Sequence, residues 1–153
     1  MSIRTPSLPE IVAHRGNAAE FPENTLAALS SAVELGLRHV EFDVQLTADH
    51  VPVVIHDADL QRVGGRADSV HALTWPQLSE MPVGETARFG DRFTHMGAPS
   101  LAQVVDALAR FTSTNAVTSF QPASWSSART ATVRNSARGD AMPNAARCAS
   151  RKR

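Results

Sequence analysis

Three short apolar runs, each meeting ionisable side chains, constrain this chain more than anything else in it. Ile11-Val12-Ala13 opens into His14-Arg15-Gly16; Val40, Phe42 and Val44 alternate with Glu41 and Asp43; Val51-Pro52-Val53-Val54-Ile55 ends in His56-Asp57. Runs of this length and pattern read as strands. Between the first two, Leu26, Leu29, Val33 and Leu37 recur at helical spacing. Asn24 or Thr25 can supply the N-cap oxygen, and Gly36 suits the left-handed position past the helix end. Strand, helix, strand in that order predicts a right-handed parallel crossover and an α/β fold.

Downstream, Thr47-Ala48-Asp49-His50 has turn composition, and residues 57–99 read as a long excursion of loops with one short helix near Trp75–Ser79. Gly64-Gly65 lies there as a turn, without the strand-to-helix frame of a phosphate cradle. Leu101, Val104, Val105 and Leu108 predict a second amphipathic helix with Ser100 as its N-cap. After Phe111 the apolar periodicity stops. Of the 42 residues from 112 to 153, 21 are Ala, Ser or Thr, and none is Leu, Ile or Glu. Such a segment builds no core of its own, so residues 1–111 are expected to carry the folded part and 112–153 to form a disordered, basic tail. There is no internal repeat.

Charge divides at the same place. Residues 1–111 carry 8 Arg against 14 Asp and Glu, a balance of −6, and residues 112–153 carry 7 basic groups against Asp140, a balance of +6. The basic groups of the tail are scattered and lack an aromatic ladder, so no nucleic-acid partner is expected. Cys148 has no second cysteine to pair with, which fits a reducing compartment. Neither a leader-like apolar stretch nor a membrane-length run occurs, and the expected setting is cytoplasmic.

The ionisable clusters suit one kind of chemistry. Ligands of parallel α/β folds bind beyond the C-terminal ends of strands, so His14-Arg15, Glu41 with Asp43, and His56-Asp57 are expected on one rim. Glu41 and Asp43, two apart on a strand, face the same way. Two such carboxylates repel unless a cation lies between them, and oxygen ligands favour Mg²⁺ or Ca²⁺. Arg15 offers a planar fork to a phosphate. Imidazoles change charge near neutral pH, so one of His14 and His56 can accept a proton while the other donates one. Asp57 is expected to orient its neighbour. His39, His50, His71 and His95 lack such context and are expected to be structural or surface residues.

His14-Arg15-Gly16, Pro22-Glu23-Asn24-Thr25, Glu41-Phe42-Asp43-Val44 with Thr47 and Asp49, and His56-Asp57 closely resemble the motifs of the glycerophosphodiester phosphodiesterases, in their order and spacing. Leu60-Gln61-Arg62, Leu73-Thr74-Trp75 and Pro99-Ser100-Leu101 are weaker landmarks. The resemblance spans roughly residues 10–111. It implies a TIM-type (β/α)₈ barrel that hydrolyses glycerophosphodiesters to glycerol 3-phosphate and an alcohol with a divalent metal. His14 and His56 would be the acid–base pair, Arg15 the phosphate ligand, Glu41 and Asp43 metal ligands, with Glu23 and Asn24 supporting them. A related barrel phosphodiesterase acting on another phospholipid, such as sphingomyelin, is an alternative.

The chain departs from that pattern in one respect. A third metal-binding carboxylate is expected on the next strand, in a Glu-Ile-Lys-like motif, where Thr112-Ser113-Thr114-Asn115-Ala116-Val117 stands; the last glutamate is Glu85 and the lone lysine Lys152. An eight-unit barrel takes about 250 residues, so two to three strand–helix units are expected. The composition change near residue 112 reads as a frameshift or misplaced stop, and a non-catalytic, aggregation-prone remnant is the competing expectation.

Overall fold

The structure, a computed structural model, describes residues 9–111, 118–120 and 129–134. The first strand, β1 (Val12–His14), pairs in parallel with β2 (His39–Leu46), in a register that sets His14 opposite Glu41. The crossover between them is α1 (Leu26–Glu34). Thr25 caps it, with Oγ1 accepting from the Ala28 amide at 3.3 Å and donating to the Pro22 carbonyl at 2.7 Å. Gly36 follows with φ 84°. Strand alternation then sorts β2. Val40, Phe42 and Val44 enter a core with Leu29, Ala32 and Val33 of α1, while Glu41, Asp43 and Gln45 take the other face and are also buried.

The third apolar run does not continue in parallel. β3 (Pro52–Val54) returns antiparallel to β2, with Val44 opposite Val54 and Leu46 opposite Pro52. The Thr47–His50 turn is too short for a crossover, and parallel strands need one of a dozen or more residues. Here the Thr47 hydroxyl donates to Asp49 Oδ1 at 2.5 Å, and His50 takes φ 61°.

Residues 57–99 are more ordered than loops with a single helix. Short helices α2 (Gln61–Gly64), α3 (Trp75–Ser79) and α4 (Thr86–Phe89) are interspersed with 3₁₀ turns at Val70–Ala72 and Gly90–Phe93. They enclose a second apolar cluster, in which Leu60, Val70 and Leu78 join Val53 and Ile55. Helices this short carry no periodic signal, which is why only the one near Trp75–Ser79 is expected. The second amphipathic helix, α5 (Leu101–Ala109), begins at Ser100, whose Oγ accepts from Gln103 N at 3.2 Å while Gln103 Oε1 accepts from Ser100 N at 2.9 Å. Val104 and Leu108 pack it onto the first core.

The expectation of a wholly disordered tail needs correction for two segments. β4 (Thr118–Phe120) pairs with β5 (Arg129–Arg134), and β5 pairs antiparallel with β2 from His39–Arg134 to Val44–Arg129. The sheet order is β1-β2-β5-β4, and Ala131 is fully buried in the first core. An open strand edge favours any segment that can satisfy its amides, and Thr130-Ala131-Thr132-Val133 is rich in β-branched residues. The rest of 112–153, Cys148 included, lies outside the described residues.

Candidate active site

The β1–α1 loop brings His14, Arg15, Glu23 and Asn24 to β2. At its start the chain turns sharply, with Arg15 at φ 58° and Gly16 at φ 82°. A Cβ on Gly16 would lie 2.6 Å from the Ala28 carbonyl carbon, so glycine alone lets the turn press on α1. This turn aims the Arg15 amide at Glu41 Oε2, 3.0 Å away, and leaves His14 Nε2 at 3.9 Å from the same oxygen. Asn24, at φ 57° and buried, closes the loop: its amide donates to the Arg15 carbonyl at 3.1 Å. Its side chain clamps Asp43, donating to Oδ2 at 3.1 Å and accepting from the Asp43 amide at 3.2 Å.

The Arg15 guanidinium lies between two acids. Nη1 donates to Glu23 Oε1 at 2.9 Å, and Nε stands 3.2 Å from Asp43 Oδ2, an ion-pair contact in which the N–H is not directed at the oxygen. Among the described residues that buried Nε–H has no hydrogen-bond acceptor.

His56 arrives on the returning hairpin. The Ile55 amide donates to the Asp43 carbonyl at 3.0 Å, and Gln45 Nε2 fastens the carbonyls of His56 and Asp57, each at 2.7 Å. Asp57 Oδ1 sits 2.7 Å from His56 Nδ1, as expected of an orienting neighbour. Glu41 and Asp43 lie in mid-strand, since β2 runs on to Leu46. The expectation that all three clusters mark strand ends on a common rim is therefore corrected. A hairpin, in place of a third parallel strand, returns His56 to the level of Asp43.

The carboxylates divide by environment. Burial pushes Glu41 above the usual range, opposed by the Arg15 amide and reinforced by the charge of Asp43. Burial is also the largest influence on Glu23 and Asp57, but hydrogen bonds and charge from Arg62 outweigh it, with help from Arg15 and His56 respectively, and both stay below the usual range. Two residues without an expected role belong here. Glu85, almost fully buried, takes Arg62 Nη1 at 3.2 Å and Arg88 Nη1 at 3.0 Å. Arg62, legible only as part of a weak motif, reaches Glu23, Asp57 and Glu85 at once. These contacts join positions up to 39 residues apart, beyond the reach of local pattern.

Glu41 and Asp43 fit part of a divalent-cation site. They are hard oxygen donors on one face, and a buried acidic pair gains from an intervening cation. Among the described residues no group of three or more His, Cys, Asp and Glu could hold a metal ion. The pair suits a cation that keeps water and substrate oxygens among its ligands better than one caged wholly by protein.

Fold and site together define an α/β protein with acids, imidazoles and a guanidinium gathered at one strand. The chain belongs to the glycerophosphoryl diester phosphodiesterase family, whose model matches residues 14–138. A glycerophosphodiester phosphodiesterase of Caldanaerobacter subterraneus subsp. tengcongensis is 38% identical over 96 residues, covering 63% of this chain and 39% of the relative. Among solved structures, an Oleispira antarctica phosphodiesterase in complex with the product sn-glycerol-3-phosphate superposes with a TM-score of 0.62 at 31% identity, over 68% of this chain and 41% of that one. An Agrobacterium tumefaciens glycerophosphodiester phosphodiesterase does so with a TM-score of 0.61 at 33% identity, over 68% and 44%. The chain thus spans about two-fifths of the length of these relatives. The structural neighbours are TIM-barrel enzymes; this sheet does not close among the described residues. Nor is any helix there long and apolar enough to cross a membrane.

Proposed function

We propose that this chain carries the opening part of a glycerophosphodiester phosphodiesterase site, which cleaves a glycerophosphodiester to glycerol 3-phosphate and an alcohol. The observation that carries the reading is the convergence of His14, Arg15 and Glu41 within hydrogen-bond or ion-pair distance, beside the Asn24–Asp43 clamp. Arg15 grips the phosphate, its planar guanidinium being suited to anionic oxygens. His14, with 71% of its side chain exposed, and His56, with 41%, stand open to a substrate and exchange protons with it. Asp57 fixes the ring of His56 as a base or acid of defined orientation. Asn24 keeps Asp43 in place, and Glu23 does the same for Arg15. Glu41 and Asp43 would hold the divalent cation, Mg²⁺ or Ca²⁺, which supplies charge neutralisation to the phosphoryl oxygens.

Release of glycerol 3-phosphate from glycerophosphocholine, with and without Mg²⁺ or Ca²⁺, tests the reading. Turnover that needs the metal and falls at least about 100-fold in His14→Ala supports it. Metal-independent turnover, or cleavage of sphingomyelin in its place, counts against it. A second reading, a family member that binds but does not cleave, is favoured by the lack of a third metal-ligating side chain among the described residues. Phosphate binding without any turnover would select it.

A further inference from the structure

We propose that Arg62 is a positioning residue for both halves of the site, acting on His56 through Asp57 and on Arg15 through Glu23. The proposal rests on the phosphodiesterase reading for the roles of His56 and Arg15, but not for the geometry that links them.

Every nitrogen of the Arg62 guanidinium is committed. Nε donates to Asp57 Oδ2 at 2.6 Å, Nη2 to Glu23 Oε1 at 2.6 Å and Nη1 to Glu85 Oε1 at 3.2 Å. The first two acids each pass the constraint on. Asp57 presents its other oxygen, Oδ1, to His56 Nδ1 at 2.7 Å. An ionised carboxylate only accepts, so Nδ1 carries the proton, and in the neutral ring Nε2 presents the lone pair. Glu23 gives the same Oε1 to Arg15 Nη1 at 2.9 Å, so one oxygen is shared by both guanidiniums. Glu85 is the fixed point. It is 3% exposed, and a buried carboxylate keeps its partners because leaving them costs several times a surface ion pair.

An ordinary surface ion pair would contribute little. Arg62 differs in three ways. Its planar fork reaches three acids at once, which a lysine ammonium cannot reproduce. Its side chain is 45% exposed, so packing is not its main contribution. It also offsets charge, since Arg15, Arg62 and Arg88 face Glu23, Asp43, Asp57 and Glu85. Without it the excess of carboxylates doubles beside the group that must grip an anion.

Arg62→Met and Arg62→Lys, compared with the full wild-type chain, test the proposal by two readouts that need no catalysis. The first is the His56 tautomer, from its ring ¹⁵N shifts at about pH 8, above the ordinary histidine range. The second is affinity for inorganic phosphate. Wild type should hold the Nδ1–H tautomer, and both variants should drift towards a mixture while still melting cooperatively. Phosphate affinity should fall about tenfold in Arg62→Met and about threefold in Arg62→Lys. Where wild type turns over glycerophosphocholine, kcat should fall more than KM rises. Wild-type shifts and phosphate affinity in either variant would overturn the proposal, as would a wild-type His56 without Nδ1–H preference or a wild type that does not bind phosphate. If Arg62→Met fails to fold, Arg62→Lys decides. Absence of turnover with the tautomer response intact sinks the hydrolase reading alone.

Discussion

Glu23 and Asp57 show how single groups tie the site to stability. Both carboxyls sit below their ordinary values of 4.5 and 3.8, because Arg62 and its neighbours outweigh the opposing effect of burial. Between the lowered and ordinary values the folded state binds fewer protons than the unfolded chain. Their contribution is therefore complete above the ordinary values and drains away as the pH falls through the folded ones. Thermal melts from about pH 7 to about pH 3 should show a falling Tm, and Arg62→Met should flatten that acid limb. An equally steep limb in the variant would show that Arg62 does not depress these acids. Glu41 has the opposite sign. Its carboxyl is raised, first by burial and further by Asp43, so its contribution declines as the pH rises through the window above 4.5. Glu41→Gln removes that conflict and should raise the Tm of the metal-free protein at neutral pH. It should also abolish the rise in Tm caused by Mg²⁺; a retained rise would remove Glu41 from the cation site.

At the level of elements, local chemistry was legible and direction was not. The caps Thr25 and Ser100, Gly36 after α1 and the α3 segment follow from residues within a turn of one another, so the sequence displayed them. The alternation of Val40, Phe42 and Val44 likewise put Glu41 and Asp43 on one face, which is how the acidic pair was found. The antiparallel return of β3 depends on how tightly four residues, Thr47 to His50, can turn, and an apolar run alone carries no strand direction. The clamp of Asn24 on Asp43 and the contacts of Arg62 arise only after the loop and excursion fold back. Gly16 belongs to this scale because it sets the approach of the β1–α1 loop to the helix. Gly16→Ala places a Cβ 2.6 Å from backbone at φ 82° and should cost about 2 kcal/mol or more. Urea unfolding measures that loss. Because the same turn directs the Arg15 amide, phosphate affinity should fall with it, and a variant of wild-type stability would show that the loop has room to relax.

For the whole molecule, the seating of β5 on β2 decides how the sheet is covered. β1 holds one side of the first half of β2, and β5 pairs with residues His39 to Val44. Without β5, the amides of that stretch would need other partners, and the core under Phe42 and Val40 would lose Ala131 as part of its cover. Composition pointed to a tail with no core residue; one methyl group at the right register is enough to make a strand part of the fold, and an Ala-, Ser- and Thr-rich segment hides that methyl among many others. Ala131 is 0% exposed, so Ala131→Asp would bring a charge without a partner into apolar surroundings. The expected loss is about 3 kcal/mol or more, measured by urea unfolding, against less than about 0.5 kcal/mol for Ala102→Asp on the exposed face of α5. A fall in hydrogen-exchange protection at the β2 amides should accompany it, because those amides pair with the strand that the charge displaces. Equal stability in the two variants would mean that β5 does not cover β2, and that the candidate site stands on a sheet open along that edge.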